Sequence, residues 1–421
     1  MEAVAKGKKA NIKELFRYRN YLLILIANFI SRFGDSIDSI AYGWMVYQLT
    51  GSKLLLGTLY AINALPNIIF GPFAGVIADK INKKKAILFV FTGRGIIVSL
   101  TAVLFFTGLL RPWHLFVFTI INSTLETLGS PIFFSIIPRL LPKELYLSSN
   151  SFSSSAYKFA ELIGMGTAGV IIALLGTAGA IFIDSATFFI AAFIILFISI
   201  AVEGHDASEL SIKKYFQDLK EGFLFVWKNY VIKTAIILFA ITNFSLAPIN
   251  VLLPAYVDEN LKSGAEMLSA MGCALSVGII VGGLCIGMLG NKAKIHMSIS
   301  MGLVVFGICY SLMFLPGNII PAGILSNIMV TFVFFMFGCT ISFLTAPLMT
   351  NIMQNTDKDM FGRVGALISM VTYSAIPLGS AITGSLSELV PTTTMFIAMG
   401  IMIFVLGIRM LFNLKFKKLA G

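Results

Sequence analysis

The chain has 421 residues, of which 57% are hydrophobic and 12% are charged, and its mean hydropathy is +0.90. Soluble domains carry about twice that charged fraction, so this composition excludes an ordinary soluble protein. The net charge is +11. In a membrane protein such an excess is interpreted as a topology signal and not as a nucleic-acid-binding surface.

Apolar runs of membrane-spanning length recur along the whole chain. A helix needs about 20 apolar residues to cross a bilayer. Twelve runs meet this length, at roughly 21–48, 54–78, 86–110, 113–137, 151–175, 179–201, 232–256, 267–289, 296–315, 320–345, 364–387 and 392–412. The sequence therefore predicts an all-α polytopic membrane protein with 12 transmembrane helices.

The positive charges predict how the spans are oriented. Most of the 31 Lys and Arg residues lie in alternate loops and near the two ends of the chain. The intervening loops hold only Lys53, Arg111 and Lys262. Because positively charged loops remain in the cytoplasm, we expect both termini to be cytoplasmic. The expected location is the cell membrane, with membrane lipids as partners.

A polar segment divides the spans into two groups of six. Within it, Phe216, Leu219 and Phe223 recur at helical spacing among charged residues, which is typical of an amphipathic helix on the cytoplasmic membrane surface. The predicted domains are an N-terminal segment (1–20), a six-helix bundle (21–201), a linker with this helix (202–231), a second six-helix bundle (232–412) and a tail (413–421).

The residue patterns of catalysis and metal binding do not occur in the sequence. Cys273, Cys285, Cys309 and Cys339 lie in apolar runs without metal-ligand spacing, and the three His are scattered. No Gly-x-x-x-x-Gly-Lys-(Ser/Thr) loop is present, so ATP is not the expected energy source. We predict no enzyme activity, no cofactor, no metal and no nucleic-acid partner.

Ionisable residues inside the predicted spans are functional candidates, because each costs about 2.5–3.5 kcal/mol to insert. The first half is rich in them, and the spans of the second half hold almost none. In the first span, Asn28, Arg32, Asp35, Ser39 and Tyr42 share one helix face that should line a cavity. The proton-coupling and cavity candidates are Arg32, Asp35, Asp38, Arg94, Glu126, Lys158 and Glu161.

Asp35 and Glu126 are the leading candidates for gaining and losing a proton inside the spans. Arg32 lies one turn from Asp35. It either balances a carboxylate that exchanges protons or forms a permanent ion pair that serves only packing. Glu126 has no neighbour of opposite charge in its own span, so its partner should be Arg94 or Arg32.

The remaining charges of the first half are expected to be less important. Lys158 and Glu161 are one turn apart and should neutralise each other. Asp38 and Asp184 lie closer to the outer mouth and are expected to be solvated.

The second half offers mostly apolar and amide side chains for substrate contact. Met and aromatic residues repack around varied apolar shapes, as a binder of many substrates requires. The predicted substrate-wall residues are Asn28, Tyr42, Asn243, Phe244, Asn250, Met336, Phe337 and Tyr373. For any single one of the second-half residues, ordinary helix packing is the favoured explanation.

The loop between the second and third predicted spans carries the most specific motif. Residues 75–84 read Gly-Val-Ile-Ala-Asp-Lys-Ile-Asn-Lys-Lys. They resemble the major facilitator superfamily loop motif Gly-x-x-x-Asp-(Arg/Lys)-x-Gly-(Arg/Lys)-(Arg/Lys), with matches at Gly75, Asp79, Lys80, Lys83 and Lys84. The resemblance implies that this loop locks one of two access states; the alternative is a basic loop with a purely topological role. Asn82 replaces the usual glycine and is expected to keep a left-handed turn.

Further stretches resemble the macrolide-efflux branch of that superfamily. They are Ser31-Arg-Phe-Gly-Asp35, Tyr47-Gln-Leu-Thr-Gly-Ser52, residues 130–142 and Gly222-Phe-Leu-Phe-Val-Trp227. The two halves also align as weak repeats, with Gly164 opposite Gly379. The resemblance implies the major facilitator fold, built from two six-helix pseudo-repeats with a substrate site between them.

The resemblance implies a bacterial, monomeric secondary transporter that exports amphiphilic drugs or related metabolites by alternating access. Its energy source would be the proton gradient, and its activity would confer resistance to macrolide-like antibiotics. The fifth-span antiporter motif of the family is degenerate, since Met165 stands where a proline is expected. The alternatives are uptake or flipping of a nutrient or lipid-like molecule and, last, a channel or membrane enzyme.

Overall fold

The structure, a computed structural model, describes residues 12–199, 220–221, 223–289, 295–356 and 360–413. Some helical residues in these ranges, including 75–80, are described by their backbone alone. The described chain is built from long helices that follow the apolar runs.

The helices of the first half match the predicted spans. They are α1 (Ile12–Leu15), α2 (Arg19–Thr50), α3 (Lys53–Lys80), α4 (Lys83–Phe106), α5 (Pro112–Leu140) and α6 (Tyr146–Leu196), with a 3-10 turn at Lys143–Leu145. Two predicted spans lie in α6. They are separated at Gly176, whose φ of 72° and ψ of 171° break the helical backbone. A positive φ of this kind favours glycine, so Gly176 provides the turn between the spans.

The second half follows the same pattern. Its helices are α7 (Tyr230–Glu259), α8 (Ala265–Leu289), α9 (Ile295–Leu312), α10 (Ile324–Asn355), α11 (Phe361–Leu386) and α12 (Thr392–Leu411). Among the described residues, nine helices are long and apolar enough to cross a membrane, and one of these, Ser148–Leu196, contains two predicted spans. Helix α10 continues through Pro347 to Asn355, beyond its predicted end near residue 345. Membrane helices tolerate proline, so Pro347 does not end α10.

One pair of equivalent glycines makes similar contacts in the two halves, as the predicted repeat requires. A Cβ on Gly164 would lie 2.6 Å from the Phe33 carbonyl oxygen, and a Cβ on Gly379 would lie 2.9 Å from the Phe244 carbonyl oxygen. These glycines therefore let α6 approach α2, and α11 approach α7, to backbone contact. Helix α4 packs on α5 and α6 in the first half, as α9 packs on α10 and α12 in the second.

The described residues form two compact units. One contains residues 12–42 and 69–199, and the other contains residues 43–68 together with the described residues from 220 to 413. The segment 43–68, which joins α2 to α3, therefore packs with second-half helices although it precedes the linker in sequence. The predicted domain boundaries at the linker stay a prediction.

The described part of the linker is helical. Residues 211–219 of the predicted amphipathic helix lie outside the described residues, but 223–228 are helical. Phe223 and Trp227 stack with ring centroids 5.0 Å apart, and both are about half exposed. The ammonium of Lys233 lies 5.2 Å from the Trp227 ring centroid. An exposed aromatic pair beside a cation is typical of a helix at a membrane interface.

Candidate functional site

The guanidinium of Arg94 is buried in the first unit and contacts three other helices. Arg94 lies on α4, and its Nη2 donates to Asp35 Oδ1 on α2 at 2.8 Å. Its Nε donates to Asn122 Oδ1 on α5 at 3.0 Å. The guanidinium carbon also lies 4.4 Å from the ring centroid of Phe188 on α6. One side chain therefore joins four helices through an ion pair, a hydrogen bond and a cation–π contact.

The alternative of a permanent Arg32–Asp35 ion pair is wrong, because Asp35 pairs directly with Arg94. Arg32 is exposed, and the direct ion pair of Asp35 is with Arg94. The physical reason is burial: the Arg94 side chain is only 10% exposed, and a cation in such a place needs a carboxylate contact. Arg32 interacts with Asp35 only at longer range.

Glu126 is a second acid near Arg94. Arg94 is one of the two partners predicted for Glu126. Glu126 Oε2 lies 3.9 Å from Arg94 Nη2, and its side chain is 48% exposed. It lies one turn beyond Asn122 on the same face of α5. Asp35 thus neutralises Arg94 at close range, and Glu126 has an exposed carboxylate at the edge of the same cluster.

Asp184 is buried, which corrects the expectation that it is solvated. Only 1% of the residue is exposed. Its carboxylate accepts a long hydrogen bond of 3.4 Å from the Thr187 hydroxyl. A Cβ on Gly34 would lie 2.4 Å from Asp184 Oδ1, so α2 covers this carboxylate directly. The absence of a side chain at Gly34 is what permits this burial.

Asp38 completes the acidic group around Arg94. It is half-buried and interacts electrostatically with both Asp35 and Asp184. The cluster therefore contains four carboxylates, those of Asp35, Asp38, Glu126 and Asp184. The buried cation among them is Arg94, with Arg32 interacting from an exposed position.

The other polar candidates of the first half form hydrogen bonds outside the Arg94 cluster. Lys158 Nζ donates to both Glu161 oxygens, at 3.0 and 2.8 Å, which confirms the predicted self-neutralisation. The Tyr42 and Thr119 hydroxyls are hydrogen-bonded at 2.7 Å, which links α2 to α5. Asn28 donates to the carbonyl oxygen of Ile24 in its own helix.

The predicted wall residues of the second half occupy different environments. Phe337 is fully buried and packs edge-to-face against Phe306, Tyr310 and Phe334, so its ring belongs to the core of that unit. Met336 and Phe244 are half-buried, and Asn250 is exposed. Asn243 donates to the Phe239 carbonyl oxygen at 2.8 Å. The side chain of Tyr373 lies outside the described residues.

Comparison with known proteins assigns the chain to a family. The sequence model of the Major Facilitator Superfamily matches residues 24–380. The chain belongs to the major facilitator superfamily. It is similar to macrolide efflux protein A of Streptococcus pyogenes, with 21% identity over 93% of this chain and 96% of that protein. It is also similar to the multidrug efflux pump Tap of Mycolicibacterium fortuitum, with 23% identity over 94% and 96%. A solved structure, the nucleoside transporter NupG, shares the fold with a TM-score of 0.76, at 13% identity over 93% of this chain and 98% of that one.

The superfamily loop motif is partly described. Gly75, Asp79 and Lys80 are described by their helical backbone alone. Lys83 is buried, and Lys84 Nζ donates to the Leu196 carbonyl oxygen at 2.7 Å. That carbonyl is at the C-terminal end of α6, where a positive charge is favourable. Lys84 therefore attaches the start of α4 to the end of α6.

Asn82 in this motif does not adopt the predicted left-handed turn. Its φ of −65° and ψ of 108° are extended, and its side chain accepts a hydrogen bond from the Lys85 backbone N–H. Asn82 is the N-cap of α4, a position that favours asparagine. The motif position therefore has a capping function in this transporter.

Sequence reasoning missed two residues of the Arg94 cluster. Asn122 precedes Glu126 by four residues, so helical spacing could have placed it beside any partner of Glu126. Phe188 carried no such signal, since an aromatic residue in a span is normally interpreted as packing. Its contact with Arg94 depends on how α4 and α6 pack together.

Proposed function

We propose that this transporter is a proton-driven exporter of amphiphilic small molecules, including macrolide-like drugs, that works by alternating access. The observation that carries the proposal is the Arg94 cluster. Its four carboxylates exceed the nearby positive charges, and Asp184 and Arg94 are almost completely buried. Charge of this kind is expensive inside a membrane protein and marks an ion or proton pathway.

The cluster supports coupling through its excess negative charge. Carboxylates that share a poorly solvated site do not all ionise together, so protons are the natural ligands of such a group. Asp35 contacts Arg94 directly, and Glu126 presents an exposed carboxylate to the same guanidinium. In our proposal, gain and loss of a proton here changes which acid Arg94 binds, and this rearranges α2 and α5 relative to α4.

The substrate class is proposed from the relatives. Two of the similar proteins are named for macrolide efflux and for multidrug efflux. The half-buried Met and aromatic side chains of the second half suit the apolar part of such molecules. We further propose a monomer in the cell membrane with both termini in the cytoplasm, as the distribution of Lys and Arg indicates.

Transport by the purified protein in proteoliposomes tests the proposal. The proteoliposomes are loaded with a fluorescent amphiphile, and a pH gradient is imposed in one direction or the other. A protonophore, which removes the gradient, is the control. Export requires accumulation of the amphiphile against its own gradient, with proton movement in the opposite direction. Co-transport with protons would support uptake instead, and flux that ignores the pH gradient would indicate a passive channel.

A further inference from the structure

A patch of exposed apolar and basic side chains lies just before the start of α7. Phe223, Leu224 and Trp227 belong to the helical segment 223–228, and each is about half exposed. Their spacing of one and four residues places them on one face of the helix. Val226 lies on another face and is buried. The segment therefore packs through Val226 and leaves an apolar face exposed.

The position of α7 places this apolar face at the edge of the membrane. Helix α7 is one of the helices that are long and apolar enough to cross a bilayer, and it begins at Tyr230. Asn229 separates it from the segment 223–228. Its backbone is extended, with a φ of −94° and a ψ of 109°, and its side chain accepts from two backbone N–H groups at the start of α7. Trp227 therefore lies directly outside a span, where aromatic side chains favour the boundary between headgroups and acyl chains.

Two lysines adjoin the exposed aromatic residues. Lys228 is exposed and follows Trp227 in sequence. Lys233 lies in the first turn of α7, and its ammonium is 5.2 Å from the Trp227 ring centroid. The Lys233 side chain thus extends back out of the span, as basic side chains do at membrane boundaries. We call Phe223, Leu224, Trp227, Lys228 and Lys233 the interfacial patch.

The positive charges of the patch are not neutralised locally. Within the described part of the chain, neither Lys228 nor Lys233 forms an ion pair with a carboxylate. The acid nearest to them in sequence is Glu221, whose Oε2 lies 2.9 Å from Nη1 of Arg363 at the start of α11. That contact compensates the charge of Glu221 and attaches the linker to α11. The patch therefore presents two cations beside an exposed apolar face.

We propose that the interfacial patch binds an anionic phospholipid, with the headgroup at Lys228 and Lys233 and the acyl chains against the apolar face. A zwitterionic lipid offers these lysines no net negative charge, whereas each lysine at an anionic membrane surface contributes up to about fivefold in affinity. The exposed apolar face favours a lipid over a free phosphate ion, which would use the charges alone. The site requires that α7 spans the membrane, and it does not depend on proton coupling or on the direction of transport.

Quenching of Trp227 fluorescence by brominated lipids measures the contact directly. The chain has three tryptophans, and Trp44 and Trp113 are replaced by phenylalanine so that all tryptophan emission comes from Trp227. The purified protein is reconstituted into mixtures of phosphatidylcholine and phosphatidylglycerol in which one of the two lipids is brominated. The dependence of quenching on lipid composition gives the relative binding constant of the two lipids. We expect phosphatidylglycerol to be favoured about tenfold, and we expect high salt to weaken this preference.

Charge substitutions distinguish a selective headgroup site from an aromatic anchor that accepts any lipid. Lys228→Gln and Lys233→Gln should each lower the preference about threefold, and the two together should leave almost none. Lys233→Arg keeps the charge and should keep the preference. Lys262→Gln is the matched control, because it removes the same charge from an exposed lysine at the other end of α7, about 45 Å away. It should leave the preference unchanged.

The same measurement can overturn the proposal in three ways. Equal quenching by the two lipids would show that the patch is an unselective aromatic anchor. Weak quenching by both lipids would show that Trp227 does not contact the membrane. A preference that survives the double lysine substitution, or that falls equally in Lys262→Gln, would show that the selectivity arises elsewhere. None of these readouts needs a proton gradient or a transported substrate, so they fail independently of proton-driven export.

Discussion

Replacing Asp35 by asparagine isolates the contribution of one carboxylate to coupling. The change keeps the size of the side chain and removes its charge and its exchangeable proton. Arg94 then faces an amide in place of the anion 2.8 Å away. We expect gradient-driven export to be lost, whereas passive movement of substrate down its own gradient should persist.

The magnitude of the effect on stability follows from the burial of the pair. Two opposite charges about 4 Å apart attract by about 4 kcal/mol at an effective dielectric constant of 20. Removing one partner of a buried pair costs about 3–5 kcal/mol, and these side chains are only 10% and 21% exposed. Glu126 lies 3.9 Å from the same guanidinium and can compensate in part. We therefore expect Asp35→Asn to reduce the free energy of unfolding by about 3 kcal/mol.

Two variants make this experiment decisive. Glu161→Gln removes an acid of the same half whose partner, Lys158, is 61% exposed, so it should leave both coupling and stability nearly unchanged. Asp35→Asn combined with Arg94→Gln removes both partners and should be less destabilising than the sum of the single changes. Thermal unfolding in detergent and export across a pH series provide the two readouts. Export by Asp35→Asn with the parental rate and pH dependence would refute the coupling role of Asp35.

Three further predictions concern the second acid near Arg94, helix packing at glycine and the predicted substrate wall. Glu126→Gln should change the pH dependence of export for every substrate alike, measured with several amphiphiles; a mere reordering of substrates would contradict it. Gly164→Ala should lower the free energy of unfolding by about 1–3 kcal/mol, because its Cβ would lie 2.6 Å from a carbonyl oxygen of α2, whereas Gly287→Ala meets open space and should be neutral. Phe337→Ala should destabilise the second unit by about 3–5 kcal/mol, since the ring is fully buried, whereas Met336→Ala should alter substrate ranking with little loss of stability. Equal thermal stability of the last two variants would show that Phe337 is not a core residue.

The helical framework could be predicted because hydropathy acts locally. Each apolar run of sufficient length became a helix, and Gly176 divides α6 where two spans were expected. The pair of Gly164 and Gly379 was recognised from the repeat and makes the same backbone contact in both halves. The Lys158–Glu161 ion pair was equally predictable, because its partners lie one turn apart on a single helix.

Contacts between different helices could not be predicted from the spacing of residues along the sequence. Arg32 is three residues from Asp35, but Arg94, which is 59 residues away, makes the contact. The choice depends on which guanidinium is buried, and that is decided by how α4 packs against α2. The burial of Asp184 likewise depends on the missing side chain of Gly34 in another helix. Asn82 shows the same limit in a loop, since its role depends on where α4 begins.

The four-helix junction at Arg94 has a consequence for how the protein is made. Helix α2 carries Arg32, Asp35 and Asp38, each of which costs about 2.5–3.5 kcal/mol to insert on its own. The guanidinium that offsets Asp35 belongs to α4 and is synthesised 59 residues later. Helix α2 is therefore a poor membrane segment until α4 and α5 follow it. Its stable insertion should await their arrival at the translocon, so that biogenesis proceeds by a group of helices and not one helix at a time.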